Sequence, residues 1–149
     1  MNEQLLKMNG LSVGILDALS FESHLGIPLK KNLHYFDKDL LIAELMTMTD
    51  WLDEQEVLSD IALDYRVKSL DAILLKYDRY YPNHQTRKVF NDILGFRAFC
   101  NSYDQALKEE ASGFRIADMS NGKSLDDGYR GVHVYYQKSG KHYPIEIQF

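Results

Sequence analysis

A single cysteine, Cys100, stands among the 149 residues, so no disulfide can close within the chain. A reducing, cytoplasmic setting is the expectation. Cys100 lies in the apolar run "GFRAFC" and reads as a small core residue rather than a nucleophile. Long apolar stretches are missing too, so no membrane-spanning helix and no membrane partner are expected. The opening "MNEQLLKMNG" lacks the basic-then-apolar order of a signal peptide, and export is not expected. Basic residues are in deficit: 17 Lys and Arg face 22 Asp and Glu, a net charge of −5. That balance argues against broad nucleic-acid binding, yet it leaves room for a local basic pocket. There is no repeat, low-complexity tract or evident linker. The length suits one domain with a real core.

What is present has two characters. Residues 1–56 read as a helical N-terminal extension packing on the core. Within it, "FDKDLLIAELMTMTDWLDEQ" sets Leu40, Leu41, Glu44, Leu45, Met48, Trp51 and Leu52 at three- and four-residue steps, with Asp37 as a cap. Gly10, Gly14, Gly26 and Pro28 cut the earlier stretch into short helices. His24 and His34 have no carboxylate or thiol at ligand spacing and read as surface or packed residues. Residues 57–149 form the second region. "VLSDIALDYRVKS" alternates like a strand, "SLDAILLKYDRYY" has helical spacing, "DILGFRAFC" suggests a strand and "YDQALKEEA" a helix. "FRIADM", "YRGVHVYYQ" and "YPIEIQF" supply three more strands, with turn signals at Asn121-Gly122 and Ser139-Gly140. Interleaved helices and strands ending in consecutive strands predict an α+β (α/β-like) fold, one mixed sheet flanked by helices.

Four clusters carry chemistry. In "YRVKSLDAILLK", Arg66 and Lys68 share a strand face, and Ser69 caps the helix bearing Lys76. Three cations near a helix start make either a phosphate cradle or a solvated basic turn. In "NDILGFRAF", Asp92 stands at the mouth of an apolar strand, placed for a hard cation or simply for a turn. Strict alternation would put Arg97 on the other face from Asp92. In "DDGYRGVHVYY", Tyr129 and His133 share a face, as a base-stacking aromatic beside a phosphate-binding histidine would, or as any aromatic-rich strand does. In "HYPIEIQF", Tyr143, Ile145, Ile147 and Phe149 alternate with Pro144, Glu146 and Gln148. A carboxylate and an amide thus occupy the second face of a core strand.

The order "RxKS…K", "DxxGxR", "DGYxxxH", "EIQ" resembles the nucleotidyltransferase domain of the RelA/SpoT family, the (p)ppGpp or alarmone synthetases, over about residues 57–149. The resemblance implies a synthetase core that moves pyrophosphate from ATP to the 3′-hydroxyl of GTP or GDP and releases AMP. It assigns Arg66 and Arg97 to the adenine of ATP, and Lys68 and Lys76 to its phosphates. Asp92 and Glu146 become the carboxylates of a Mg²⁺ site, with Glu146 also the base for the 3′-hydroxyl. Tyr129 stacks on the acceptor guanine, and His133 and Gln148 contact the acceptor. Other readings of the same pattern are a toxic member acting on tRNA 3′ ends or adenine nucleotides, and a catalytically inactive nucleotide-binding module. Two departures stand out. Ala72 replaces a family serine, and the family's "EIQ" commonly continues into an arginine–threonine pair and further helices, so a core lacking those helices is expected. An uncovered sheet would favour homo-oligomers.

Overall fold

The computed structural model describes residues 3–108 and 113–149. Five strands form one mixed sheet in the order β1-β2-β5-β4-β3. They are β1 (Tyr65–Val67), β2 (Leu94–Arg97), β3 (Phe114–Met119), β4 (Gly131–Tyr136) and β5 (Ile145–Gln148). Only β2 and β5 run parallel. The other neighbours are antiparallel. The fold is α+β, as expected.

The N-terminal half holds α1 (Glu3–Met8), α2 (Val13–Ala18), α3 (Lys38–Asp53) and α4 (Glu56–Asp60), with 3₁₀ turns at Ile27–Lys30 and Leu33–Tyr35. Asp37 caps α3, its carboxylate accepting from the backbone N–H groups of Asp39 and Leu40. Leu41, Leu45, Met48 and Leu52 are buried as the spacing predicts. Leu40 is not: it lies about 100° round the helix from Leu41, at the edge of the stripe, and is exposed. Helices of five or six residues have little stability alone. Here their leucines join Leu94, Phe96, Val134, Ile145 and Ile147 in one core.

Three sets of side-chain hydrogen bonds fasten this half to the strands and the segments that flank them. Asn9 brackets the backbone of Phe99, donating to its carbonyl (2.9 Å) and accepting from its N–H (2.7 Å). The Tyr136 hydroxyl donates to Asp17, and burial followed by that contact pushes its pKa up to about 12. The buried Glu44 carboxylate accepts from the Ser23 hydroxyl (2.8 Å), the His24 N–H (2.5 Å) and the Tyr143 hydroxyl (2.6 Å). A buried carboxylate is tolerable because donors meet both of its oxygens.

The strand expected over "VLSDIALDYRVKS" is corrected: Glu56–Asp60 is helical and only Tyr65–Val67 pairs. Leu58 and Ile61, three apart, both reach the core, a spacing that suits a helical turn and not the two-residue repeat of a strand. Helix α5 (Leu70–Tyr80) follows the expected helix, with Ser69 Oγ accepting from the Ala72 N–H (3.3 Å). A short α6 (Thr86–Val89) precedes β2. Helix α7 spans Tyr103–Leu107, and residues 109–111 of the helix expected there lie outside the described residues. Cys100 is half-buried at the core's edge rather than inside it, and burial raises its thiol pKa. His24 and His34 are exposed.

Candidate active site

The register of the sheet assembles the polar face. Arg66, Gly95, Glu146, Tyr135 and Arg115 form one row across it, and Arg97, Gln148, His133 and Ala117 form the next. Side chains of directly paired residues point the same way. The opposite rows, such as Phe96, Ile147, Val134 and Ile116, turn into the core. Glu146 and Gln148 therefore belong to the floor of a cleft, while Ile145 and Ile147 pack.

Two cavities open on this face and share Glu146. One, of about 210 Å³, is lined by Asp64, Tyr65, Arg66, Gly95, Phe96, Arg97, Glu146 and Gln148. It places both arginines in one wall set. A β-carbon on Gly95 would lie 3.5 Å from Glu146 Oε1, so the absent side chain keeps this floor low. The other, of about 580 Å³, includes Lys76, His84, Lys88, Asp92, Lys123, His133, Tyr135 and Glu146 in its walls.

Asp92 sits in the turn before β2, so strand parity does not govern it. It shares a cavity with Glu146, on the same side of the sheet as Arg97. The expected convergence of Arg66, Lys68 and Lys76 is corrected. Only the lysines meet, both on Asp92: Lys68 Nζ reaches Oδ2 at 2.7 Å and Lys76 Nζ reaches Oδ1 at 3.0 Å. Lys76 also donates to Asn91 Oδ1 (3.3 Å). Arg66 remains in the neighbouring cavity because it pairs in β1 opposite Gly95, short of the turn that carries Asp92. Burial pushes the Asp92 carboxyl up, but the bonds and charges of the two lysines outweigh it and hold the pKa below the usual aspartate value.

On β4 and β5 a second network forms. Tyr129 precedes β4 in a loop pinned by Asp126, which accepts from the Gly128 N–H (3.0 Å) and Arg130 (2.9 Å), and by Asp127, which accepts from the Tyr129 N–H (3.0 Å) and Lys123 (3.1 Å). The Tyr129 hydroxyl meets His133 Nε2 at 2.7 Å, Gln148 Nε2 lies 2.5 Å from the same hydroxyl, and His133 Nδ1 lies 3.2 Å from Glu146 Oε2. Tyr135 places its hydroxyl 3.4 Å from His133 Nδ1. Its hydroxyl pKa is raised well beyond the ordinary phenol range, first by burial and then by the Glu146 charge.

All nine expected site residues thus fall into three linked groups. Lys68, Lys76 and Asp92 bond directly. Arg66 and Arg97 line a cavity with Glu146 and Gln148. Tyr129, His133, Gln148 and Glu146 form a chain. Asp92 and Glu146 do not touch and are joined as walls of one cavity. Sequence reasoning passed over Tyr135, Lys123 and Arg115, and carried Gly95 only as the glycine of "DxxGxR". Alternation from His133 would have reached Tyr135, and alternation along "FRIADM" would have set Arg115 apart from Phe114 and Ile116. Lys123, whose ammonium sits 4.9 Å from the centre of the Tyr129 ring, had no local signal.

No protein-family profile matches the chain, and no curated protein matches it. Among solved structures it is similar to small alarmone synthetase 1 from Bacillus subtilis. The form bound to its product pppGpp is 30% identical over 73% of this chain and 63% of that one, with a TM-score of 0.41. Another crystal structure of that synthetase is 28% identical, covering 74% of this chain and 68% of that one, at a TM-score of 0.39. The AMPCPP-bound form is 24% identical, covering 74% and 67%, at 0.36. The chain spans less than two-thirds of the synthetase chain in the first of these structures.

Proposed function

We propose that the chain is a transferase of the RelA/SpoT alarmone-synthetase kind, moving pyrophosphate from ATP to the 3′-hydroxyl of GTP or GDP. The observation that carries this reading is convergence. Four motifs spread from Arg66 to Gln148 meet on one face of one sheet, in two cavities that share Glu146.

In this mechanism the planar guanidinium groups of Arg66 and Arg97 hold the adenine, and Lys68 and Lys76 take the ATP phosphates. The acceptor guanine lies on Tyr129. The acceptor 3′-oxygen bonds to the β-phosphorus of ATP as the link from that phosphorus to the α-phosphate breaks. AMP leaves, and the hydroxyl proton passes to Glu146. Such transfers depend mainly on alignment and on neutralising charge, which is what clustered cations provide. Glu146, with its side chain 13% exposed, is largely shielded from solvent while still facing a cavity, a position from which it can take the proton.

Mg²⁺ is the metal this reading implies, and the donors suit it. Asp92 and Glu146 are hard oxygen ligands in one cavity, and among the described residues no cluster of three or more His, Cys, Asp or Glu forms a protein-only cage. Mg²⁺ characteristically takes one or two carboxylates together with substrate phosphates. When bound there it would offset phosphate charge and make the attacking hydroxyl more acidic.

The test is direct. The purified chain is incubated with labelled ATP, Mg²⁺ and GTP or GDP. AMP and a 3′-pyrophosphorylated guanine nucleotide are expected, and their absence overturns the proposal. Glu146→Gln should keep the fold and lower the rate by about a hundredfold to ten-thousandfold.

A further inference from the structure

Gln148, Tyr129, His133 and Glu146 form a chain of polar contacts. The Gln148 amide nitrogen can only donate, so the Tyr129 oxygen accepts from it at 2.5 Å. The Tyr129 hydroxyl meets His133 Nε2 at 2.7 Å, and which of the two donates is set by what the other ring nitrogen faces. His133 Nδ1 lies 3.2 Å from the Glu146 carboxylate, which can only accept, and 3.4 Å from the Tyr135 hydroxyl, which can also accept. A neutral imidazole with its proton on Nδ1 faces the carboxylate and leaves Nε2 to accept from Tyr129. We infer that the hydroxyl of Tyr129 is a positioning group for Glu146, acting through His133. The inference rests on Glu146 being the base of the reaction proposed above.

Two features show that this edge of Tyr129 is built in. Its ring stands at 89° to the imidazole, so the hydroxyl edge engages His133, while the Lys123 ammonium lies over one ring face and the opposite face is the one for stacking. The hydroxyl also occupies the space above Gly131, where a β-carbon would lie only 2.7 Å from it. One side chain can therefore serve two ends, its face for the acceptor and its edge for the base. His133 and Gln148, assigned to the acceptor by resemblance, acquire a second role. His133 holds one carboxylate oxygen of Glu146, with Tyr129 and Gln148 behind it, so that the other faces the cleft.

The experiment uses the full chain. In the ligand-free protein, ¹⁵N NMR of His133 should show the proton on Nδ1. A proton on Nε2 overturns the inference whatever the activity. Tyr129→Phe keeps the ring and loses only the hydroxyl, so acceptor KM should stay near wild type while kcat falls by about tenfold to a hundredfold. An unchanged kcat overturns the inference. His133→Asn, whose amide can replace Nδ1–H, should retain more kcat than His133→Gln. Adding Tyr129→Phe to His133→Asn should cost nothing more, because the hydroxyl then has no imidazole to act through. A full further loss in the double variant overturns the inference. Should the wild type make no product while NMR finds the Nδ1 proton, and Tyr129→Phe loses that preference, the transferase reading falls and the chain of hydrogen bonds stands.

Discussion

Gly131 and Tyr129 fit each other: a methyl group on residue 131 would stand 2.7 Å from the Tyr129 hydroxyl and 3.0 Å from the Phe149 carbonyl. The second contact is backbone and cannot swing aside. Gly131→Ala should therefore cost about 1–3 kcal/mol of stability, the usual range for overpacking. It should also push the Tyr129 hydroxyl off His133. Thermal melts read the first effect and the His133 NMR signals the second. A variant with wild-type melting and unshifted signals would contradict this packing.

Both oxygens of Asp92 are bonded to ammonium groups. In the proposed reaction Asp92 would hold Mg²⁺, and a divalent ion approaching the free protein would meet two positive charges already seated on that carboxylate. ATP phosphates should draw Lys68 and Lys76 away and free the carboxylate, so metal and nucleotide should each strengthen the binding of the other. Electron paramagnetic resonance with Mn²⁺ is expected to show weak binding alone and much tighter binding with a non-hydrolysable ATP analogue. Equal affinity in both conditions would count against the exchange.

The same ion pairs predict a pH dependence. Asp92 titrates lower in the folded protein than in the unfolded chain. Its contribution to stability is therefore fully present above the ordinary aspartate pKa of about 3.9 and is lost as the pH falls through the lower folded value. The gap in Tm between wild type and Asp92→Asn should be wide at neutral pH and narrow below about pH 3.9. A gap that widens on acidification would reverse the sign and refute the assignment.

Tyr143 supplies one of the three donors that satisfy the buried Glu44 carboxylate. Tyr143→Phe preserves the ring and removes the hydroxyl, leaving a buried charge short of a partner. A hydrogen bond to a charged group contributes about 1.5–3 kcal/mol, so Tm should fall by several degrees. Denaturant unfolding checks the magnitude. No loss of stability would mean that Ser23 and the His24 N–H suffice.

Local pattern was enough for part of this protein. Alternation in "HYPIEIQF" separates Ile145 and Ile147 from Glu146 and Gln148, because a strand turns successive side chains to opposite faces wherever it lies. Three- and four-residue spacing likewise marks α3 and α5, and Asp37 and Ser69 cap them as their types suggest. Tertiary structure alone decided the rest. It placed β5 between β2 and β4, so that Glu146 lies between Gly95 and Tyr135, and it brought Lys68 from one side and Lys76 from another onto Asp92. It also made Glu56–Asp60 a helix where alternation had suggested a strand. The physical reason is that pairing and register between distant segments follow from which apolar faces can share one core. That is a property of the whole chain, and no short stretch contains it.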